Sequence, residues 1–359
     1  MIHPWLEPQW EKWMALGERL PHALLISGAP GLGKRDLAEA LAARLLCDAP
    51  QIDGRACGHC VPCQWRVSGN HPDLHRLVPE TGEVQPSATE DGGGEAGDGT
   101  RQAKSTQSAT QIVINQVRAV QEALTVTAHR GGKRVVIVDP AEAMNHFTAN
   151  ALLKLLEEPP DGCVFLLISS APRRLLPTIR SRCQQWYVPR PSADALRHWQ
   201  AGQEHEESVP AGLVALCGGM PLAAQRLLAQ GGRALFERFT SDLEAGAIDP
   251  LRLAAQWETW LKKDKTVIAA GFTLMTLVEW MQRWVSDLVA LRLGGRVRYF
   301  PAQVERLAIL SATASEASLV DCYNEFINIR RVATHPLNLR LFLEDMLMRY
   351  ARVFKGVRP

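Results

Sequence analysis

The stretch from His22 to Arg35, HALLISGAPGLGKR, constrains this chain more than any other. His22 to Ser27 is a short apolar run, which predicts a strand, and Leu37 to Leu46 repeats apolar residues at helical spacing. Between them Gly28-Ala29-Pro30-Gly31-Leu32-Gly33-Lys34-Arg35 fits the phosphate-loop pattern GxxxxGK[ST] at both glycines and the lysine. Such a loop aims backbone N–H groups and a helix N-terminus at phosphate, and its lysine reaches the terminal phosphates. Gly28, Gly31, Gly33 and Lys34 are therefore the candidate nucleotide-binding residues.

The last position of the pattern fails. Arg35 stands where a Ser or Thr hydroxyl would hold magnesium, and a guanidinium cannot coordinate a cation. A nucleotide machine also needs an acidic pair at the end of a later strand. The run Val135-Val136-Ile137-Val138-Asp139-Pro140 ends in one carboxylate, Asp139, followed by proline, with no base to orient water. Two catalytic positions are missing from one site, so a nucleotide fold that does not hydrolyse is expected. The rival reading is a weak ATPase in which Glu142 stands in for the missing base.

The rest of the chain divides by pattern. Arg134 to Asp139, Cys163 to Ser169 and Gln184 to Val188 are further apolar runs bounded by Gly or Pro. They alternate with helical stripes such as Val113, Val117, Val120 and Leu124, then Ala149 to Leu156, which predicts a parallel α/β sheet covered on both faces. Residues 81–110 hold one large apolar side chain, Val84, among Gly, Ser, Thr and acidic residues, a composition that cannot bury a core and predicts disorder. After Pro191 strand signals vanish. Helices are expected over Leu251–Leu261, Val267–Leu293, Ala317–Val332 and Asn338–Phe354. In the longest, Glu279, Arg283 and Asp287 share a charged face, and Trp280 and Trp284 flank the apolar one, in the core or at a subunit interface.

Four of the eight cysteines cluster: Cys47, Cys57, Cys60 and Cys63, within CGHCVPC and just before it. Thiols at two-residue gaps suit one tetrahedral ion, and four thiolates favour zinc. A closed site leaves no position for water, so this zinc would be structural. His59 or His71 could replace one thiol, and a disulfide or free thiols are the plainer alternatives. Cys163, Cys183 and Cys217 lie in apolar stretches and are expected in the core.

Lys plus Arg (40) against Asp plus Glu (38) leaves a net charge of +2, so no whole-molecule field drives binding to nucleic acid or membrane. The longest uncharged apolar run near the C-terminus, Thr266 to Val278, is 13 residues, short of the roughly 20 a bilayer requires. No membrane span is expected, and the N-terminus MIHPWLEPQWEKW lacks the order of a signal peptide, so a cytoplasmic protein is expected.

Four motifs in this order, HALLISGAPGLGK, CGHCVPC, ANALLKLLEEPP (Ala149 to Pro160) and IRSRC (Ile179 to Cys183), resemble the AAA+ clamp-loader family of bacterial DNA polymerase III, and within it the delta-prime class. The match covers residues 1 to about 190, and beyond that only helical character agrees. Arg35 and Pro140 set the chain apart from the gamma/tau ATPases. The resemblance implies a P-loop AAA+ domain over 1–188 with a four-cysteine zinc module at 47–63, a helical lid over 189–233 and an all-α collar domain over 234–359. It implies a non-hydrolysing scaffold that assembles with gamma/tau and delta into a ring that places the sliding clamp on primed DNA during DNA replication. The chain would then not be an ATPase by itself but part of a DNA-directed DNA polymerase, a nucleotidyltransferase holoenzyme, with ATP binding at its own site left open.

Ser181-Arg182-Cys183 matches the family's SRC motif, so the resemblance assigns Arg182 as an arginine finger supplied in trans to a neighbour's ATP. Taken alone, Arg182 is equally an ordinary surface ion-pair partner. Gly218 to Ala223 resembles the family's sensor-2 segment, but Pro221 replaces its arginine. The alternative function is a weakly active gamma/tau-type ATPase. A third, the zinc module as a nucleic-acid reader, has only His59 in CGHCVPC as a cation. Arg330, Arg331, Arg340, Arg349, Arg352, Lys355 and Arg358 make the last thirty residues basic, most simply a solvated helix face.

Overall fold

The computed structural model describes residues 2–79, 111–125, 132–202, 209–244, 248–269, 271–333, 335 and 338–354. The 81–110 insertion, Lys355 and Arg358 lie outside the described residues. The chain forms two compact units, residues 1–190 and 191–359.

The first unit begins with α1 (Glu7–Leu16), followed by β1 (Ala23–Ser27), α2 (Lys34–Leu46), α3 (Val61–Val67) and β2 (Leu74–Leu77). It continues through α4 (Ile114–Thr125), β3 (Arg134–Val138), α5 (His146–Glu157), β4 (Cys163–Ser169), α6 (Pro177–Arg182) and β5 (Gln184–Tyr187). The strands form one parallel sheet in the order β2-β3-β4-β1-β5. β1, β3 and β4 are buried at every position. They are continuous apolar runs because helices cover both faces of a parallel sheet. Register pairs Leu25 with Leu167 and Val136 with Phe165 through the middle of the core. The expected strands are all present, with His22, Asp139 and Val188 just outside them.

β2 was not legible in the sequence. LHRL offers two inward leucines around His75 and Arg76, too short and too polar for an apolar-run signal, and its ladder to β3 makes it a strand. The side chains of α4 and α5 close one face: Val117, Val120, Leu124, Leu152 and Leu156 pack with Val136, Val138, Phe165 and Leu167.

The second unit is helical: α7 (Ala193–Ala201), α8 (Ala211–Leu216), α9 (Pro221–Ala229), α10 (Gly232–Glu244), α11 (Pro250–Lys263), α12 (Lys265–Ala269), α13 (Leu274–Arg292), α14 (Val304–Ala312), α15 (Glu316–Val332) and α16 (Leu339–Arg352). The helix expected over Val267–Leu293 is two helices. Gly271 takes φ +61° and the Thr273 hydroxyl accepts from the Thr276 N–H, ending one helix and capping the next. Trp280 and Trp284 are core residues, 2% and 0% exposed, stacked edge-on against Phe239 with centroids 5.4 and 6.3 Å away. Trp284 Nε1 donates to the Tyr350 hydroxyl at 2.9 Å, joining α13 to α16.

Asp287 departs from the expected charged face. It is 1% exposed, and its carboxylate accepts the backbone N–H groups of Arg298 (2.9 Å), Tyr299 (2.8 Å) and Phe300 (2.9 Å). Glu279 and Arg283 do remain at the surface, where Glu279 also pairs with Arg330. Cys163 and Cys183 are buried as expected, whereas Cys217 is only half-buried.

Candidate functional site

Strand order brings the site together. β1 lies between β4 and β5 although it comes first in the chain, so the chain reverses its direction of travel across the sheet beside β1. Crevices at the carboxyl ends of strands around such a reversal are where open α/β sheets place ligands. Gly28 follows β1, Asp139 follows β3 and Ser170 follows β4, and all three open onto this edge.

The loop runs directly into α2, whose N-cap Gly33 takes φ +78°. A Cβ at Gly33 would lie 2.7 Å from the His3 ring, and one at Gly28 would lie 2.7 Å from the Val188 carbonyl. Both glycines are thus required by close approach as well as by backbone conformation. Lys34 is 5% exposed, with Nζ donating to the Gly28 carbonyl (2.9 Å), the Ala29 carbonyl (2.7 Å) and Ser170 Oγ (3.0 Å). Its charge stabilises the curl of the loop.

Arg35 turns the other way and donates from Nε to Asp139 Oδ2. One departure therefore engages the acid that is retained: the residue that replaced the magnesium-binding hydroxyl holds the strand-end carboxylate. Pro140 follows through a cis peptide bond. Glu142, the candidate substitute base, accepts the Ser170 N–H at 2.9 Å and the Ala171 N–H at 3.2 Å through Oε1. Its carboxylate caps the end of β4.

The N-terminal segment packs against the loop, a contact the sequence does not signal. Trp5 Nε1 donates to the Leu32 carbonyl at 2.9 Å, and His3 Nε2 lies 2.9 Å from Asp36 Oδ2 while its ring stacks on Trp5 at 4.9 Å. No local pattern announces contacts that cross about thirty residues; the tryptophans of the first segment were the only hint.

The cysteine cluster stands apart from the loop. Cys47 ends α2, Cys57 and Cys60 frame a turn at Gly58 (φ +81°), and Cys63 lies in α3. All four sulfurs fall within 4.8 Å of one another, and Cys47 Sγ is 3.8 Å from Cys60 Sγ. Sulfurs bound at ~2.3 Å to one tetrahedral ion stand about 3.8 Å apart, so the donor set fits a metal of that geometry. The backbone prepares the thiolates: the Cys57 N–H donates to Cys47 Sγ (3.3 Å) and the Cys60 N–H to Cys57 Sγ (3.4 Å). The N–H groups of His59 and Cys60 hold the Cys57 thiol down to about 6, while burial pushes Cys63 up to about 12. Neither histidine joins the cluster. His59 Nδ1 sits 3.0 Å from the Cys57 carbonyl, and the buried His71 accepts the Asp73 N–H at 3.1 Å.

Arg182 is the last residue of α6. Its Nη2 lies 2.5 Å from Glu157 Oε1 at the end of α5, and Nη1 donates to the Thr178 carbonyl at 3.2 Å. Buried Ile179 and Cys183 anchor the turn on either side. In the second unit Arg340 and Arg349 pair with Glu344 and Asp345, so those members of the basic C-terminal stretch are neutralised on their own helix. Among the described residues no helix is long and apolar enough to cross a membrane.

The family profile described as DNA polymerase III, delta subunit, matches residues 9–192. A DNA polymerase III subunit delta' from Pseudomonas aeruginosa is 44% identical over 236 residues, 65% of this chain and 63% of that protein. The subunit of the same name from Escherichia coli is 38% identical over 199 residues, 55% of this chain and 52% of that protein. The tau subunit from Escherichia coli is 29% identical over 185 residues, 52% of this chain but 24% of that protein. The chain thus spans between half and just under two thirds of the length of the two delta' relatives.

Proposed function

We propose, from the premise that this chain belongs to the DNA polymerase III delta-subunit family, that it is a non-hydrolysing scaffold of the delta-prime type in the clamp loader. It assembles with gamma/tau and delta subunits, and through that complex acts on the sliding clamp and primed DNA in the cytoplasm. The observation that carries this reading is the ion pair between Arg35 and Asp139. It engages the carboxylate that a magnesium ion would need and leaves no hydroxyl in its place. The placement of Glu142 weighs against the rival ATPase reading: Oε1 accepts two backbone N–H groups and Oε2 is buried, whereas a base must reach the water whose proton it takes.

Arg182 completes the active site of a neighbouring gamma/tau subunit, placing a permanent cation where charge develops on the transferred phosphoryl group. Its exposed position at the end of α6 supports that role. Cys47, Cys57, Cys60 and Cys63 hold a structural zinc, which would tie the end of α2 to α3 and supply no chemistry to substrate. Residues 189–233 form the lid and 234–359 the collar through which the subunit joins its ring.

The test is magnesium-ATP turnover. The purified chain and its Lys34→Ala variant should both show none. In the assembled complex Arg182→Ala should depress turnover by roughly 10³-fold at the site it completes, with assembly intact. Turnover by the isolated chain that Lys34→Ala abolishes would overturn the scaffold reading in favour of a gamma/tau-type ATPase. Normal turnover of the Arg182→Ala complex would remove the finger.

A further inference from the structure

A side chain that acts across a subunit boundary must be presented in one place by its own subunit, and the surroundings of Arg182 show how that is done. The guanidinium carries five donors in a rigid fork. Two of its nitrogens are engaged from this chain: Nη2 by Glu157 at 2.5 Å and Nη1 by the Thr178 carbonyl at 3.2 Å. Both holders are fixed. Leu155 and Leu156, beside Glu157, belong to the same buried cluster as Ile179 and Cys183, which bracket Arg182. The pair itself stays in solvent, with the arginine side chain 36% and the glutamate 46% exposed.

We infer that Glu157 is a positioning residue for the trans arginine: it fixes the orientation of the Arg182 fork so that the remaining N–H groups face outward toward a neighbour's phosphate. This rests on the reading of Arg182 as a finger. Arginine is otherwise costly to hold, because its side chain loses much rotamer freedom when ordered. The Thr178 carbonyl holds one tip of the fork through Nη1 and Glu157 Oε1 the other through Nη2, and two points of contact on one planar group limit its rotation. Because the pair is exposed, its hold is weak and does not trap the cation when a phosphate competes.

The experiment is a double-mutant cycle on ATP turnover by the reconstituted complex, combining Glu157→Gln with Arg182→Ala. Glu157→Gln alone should lower kcat by about 1.5- to 5-fold, the range for an exposed pair, with assembly on gel filtration unchanged. The gap to wild type should narrow as salt rises, since screening weakens the pair in the wild type only. In the Arg182→Ala background the same substitution should have no further effect. An equal loss in both backgrounds would make Glu157 merely structural and overturn the inference, as would an unchanged kcat in the single variant. Wild-type turnover in the Arg182→Ala complex would instead overturn the finger itself, an outcome distinguishable from the other two.

Discussion

Arg35 Nε donates to Asp139 Oδ2, tying the first turn of α2 to the end of β3 across 104 residues of chain. A departure from an active nucleotide site and the acid that the site retains thus form one contact. The cation that replaced the magnesium-binding hydroxyl neutralises the carboxylate the metal would have used.

Breaking that contact should expose the latent site. Arg35→Thr restores a hydroxyl and frees Asp139, so nucleotide binding should become magnesium-dependent while hydrolysis stays absent, because Pro140 supplies no base. Titration with a fluorescent nucleotide in magnesium and in EDTA checks this. The stability cost should be at most about 1 kcal/mol, since Arg35 is 65% exposed.

Metal removal should loosen the first unit. Chelation, or Cys60→Ser, should lower its melting temperature by on the order of 5–10 °C, as each kcal/mol is worth about 2–4 °C in a domain of this size. Elemental analysis of the untreated protein should find one zinc per chain, and an unchanged melting curve would argue against a structural ion.

Asp287→Ala should destabilise the helical unit by about 3 kcal/mol, because three backbone N–H groups would lose their acceptor in a buried place. Asp287→Asn keeps an acceptor oxygen and should cost less. Urea unfolding of both variants measures the difference.

Acid should weaken the first unit through its imidazoles. Burial is the main cause that pushes both His71 and His75 below their ordinary value of 6.5. The folded state then binds fewer protons than the unfolded one, so the stabilisation is fully present above about pH 6.5 and is lost as pH falls through the lower folded values. His75→Gln should flatten its part of that dependence in denaturation midpoints measured between pH 8 and 5.

Features carried by contiguous residues are readable before any packing is known. β1, β3 and β4 are legible because a strand buried on both faces must be apolar at every position. The loop from Gly28 to Lys34 and the run CGHCVPC are legible because a phosphate turn and a tetrahedral ion each need particular residues at short spacing. Where the charged side chains go depends on packing. The sequence set Asp287 on a solvated face, yet it is buried because the segment at Arg298 to Phe300 offers three donors. Glu142 stood as a candidate base and serves as a strand cap, and β2 exists because β3 pairs with it. Arg182 presented no partner until α5 delivered Glu157. Local patterns report what a segment buries, whereas the partner of a charge is set by residues tens of positions away that only the packed sheet and helices bring within reach.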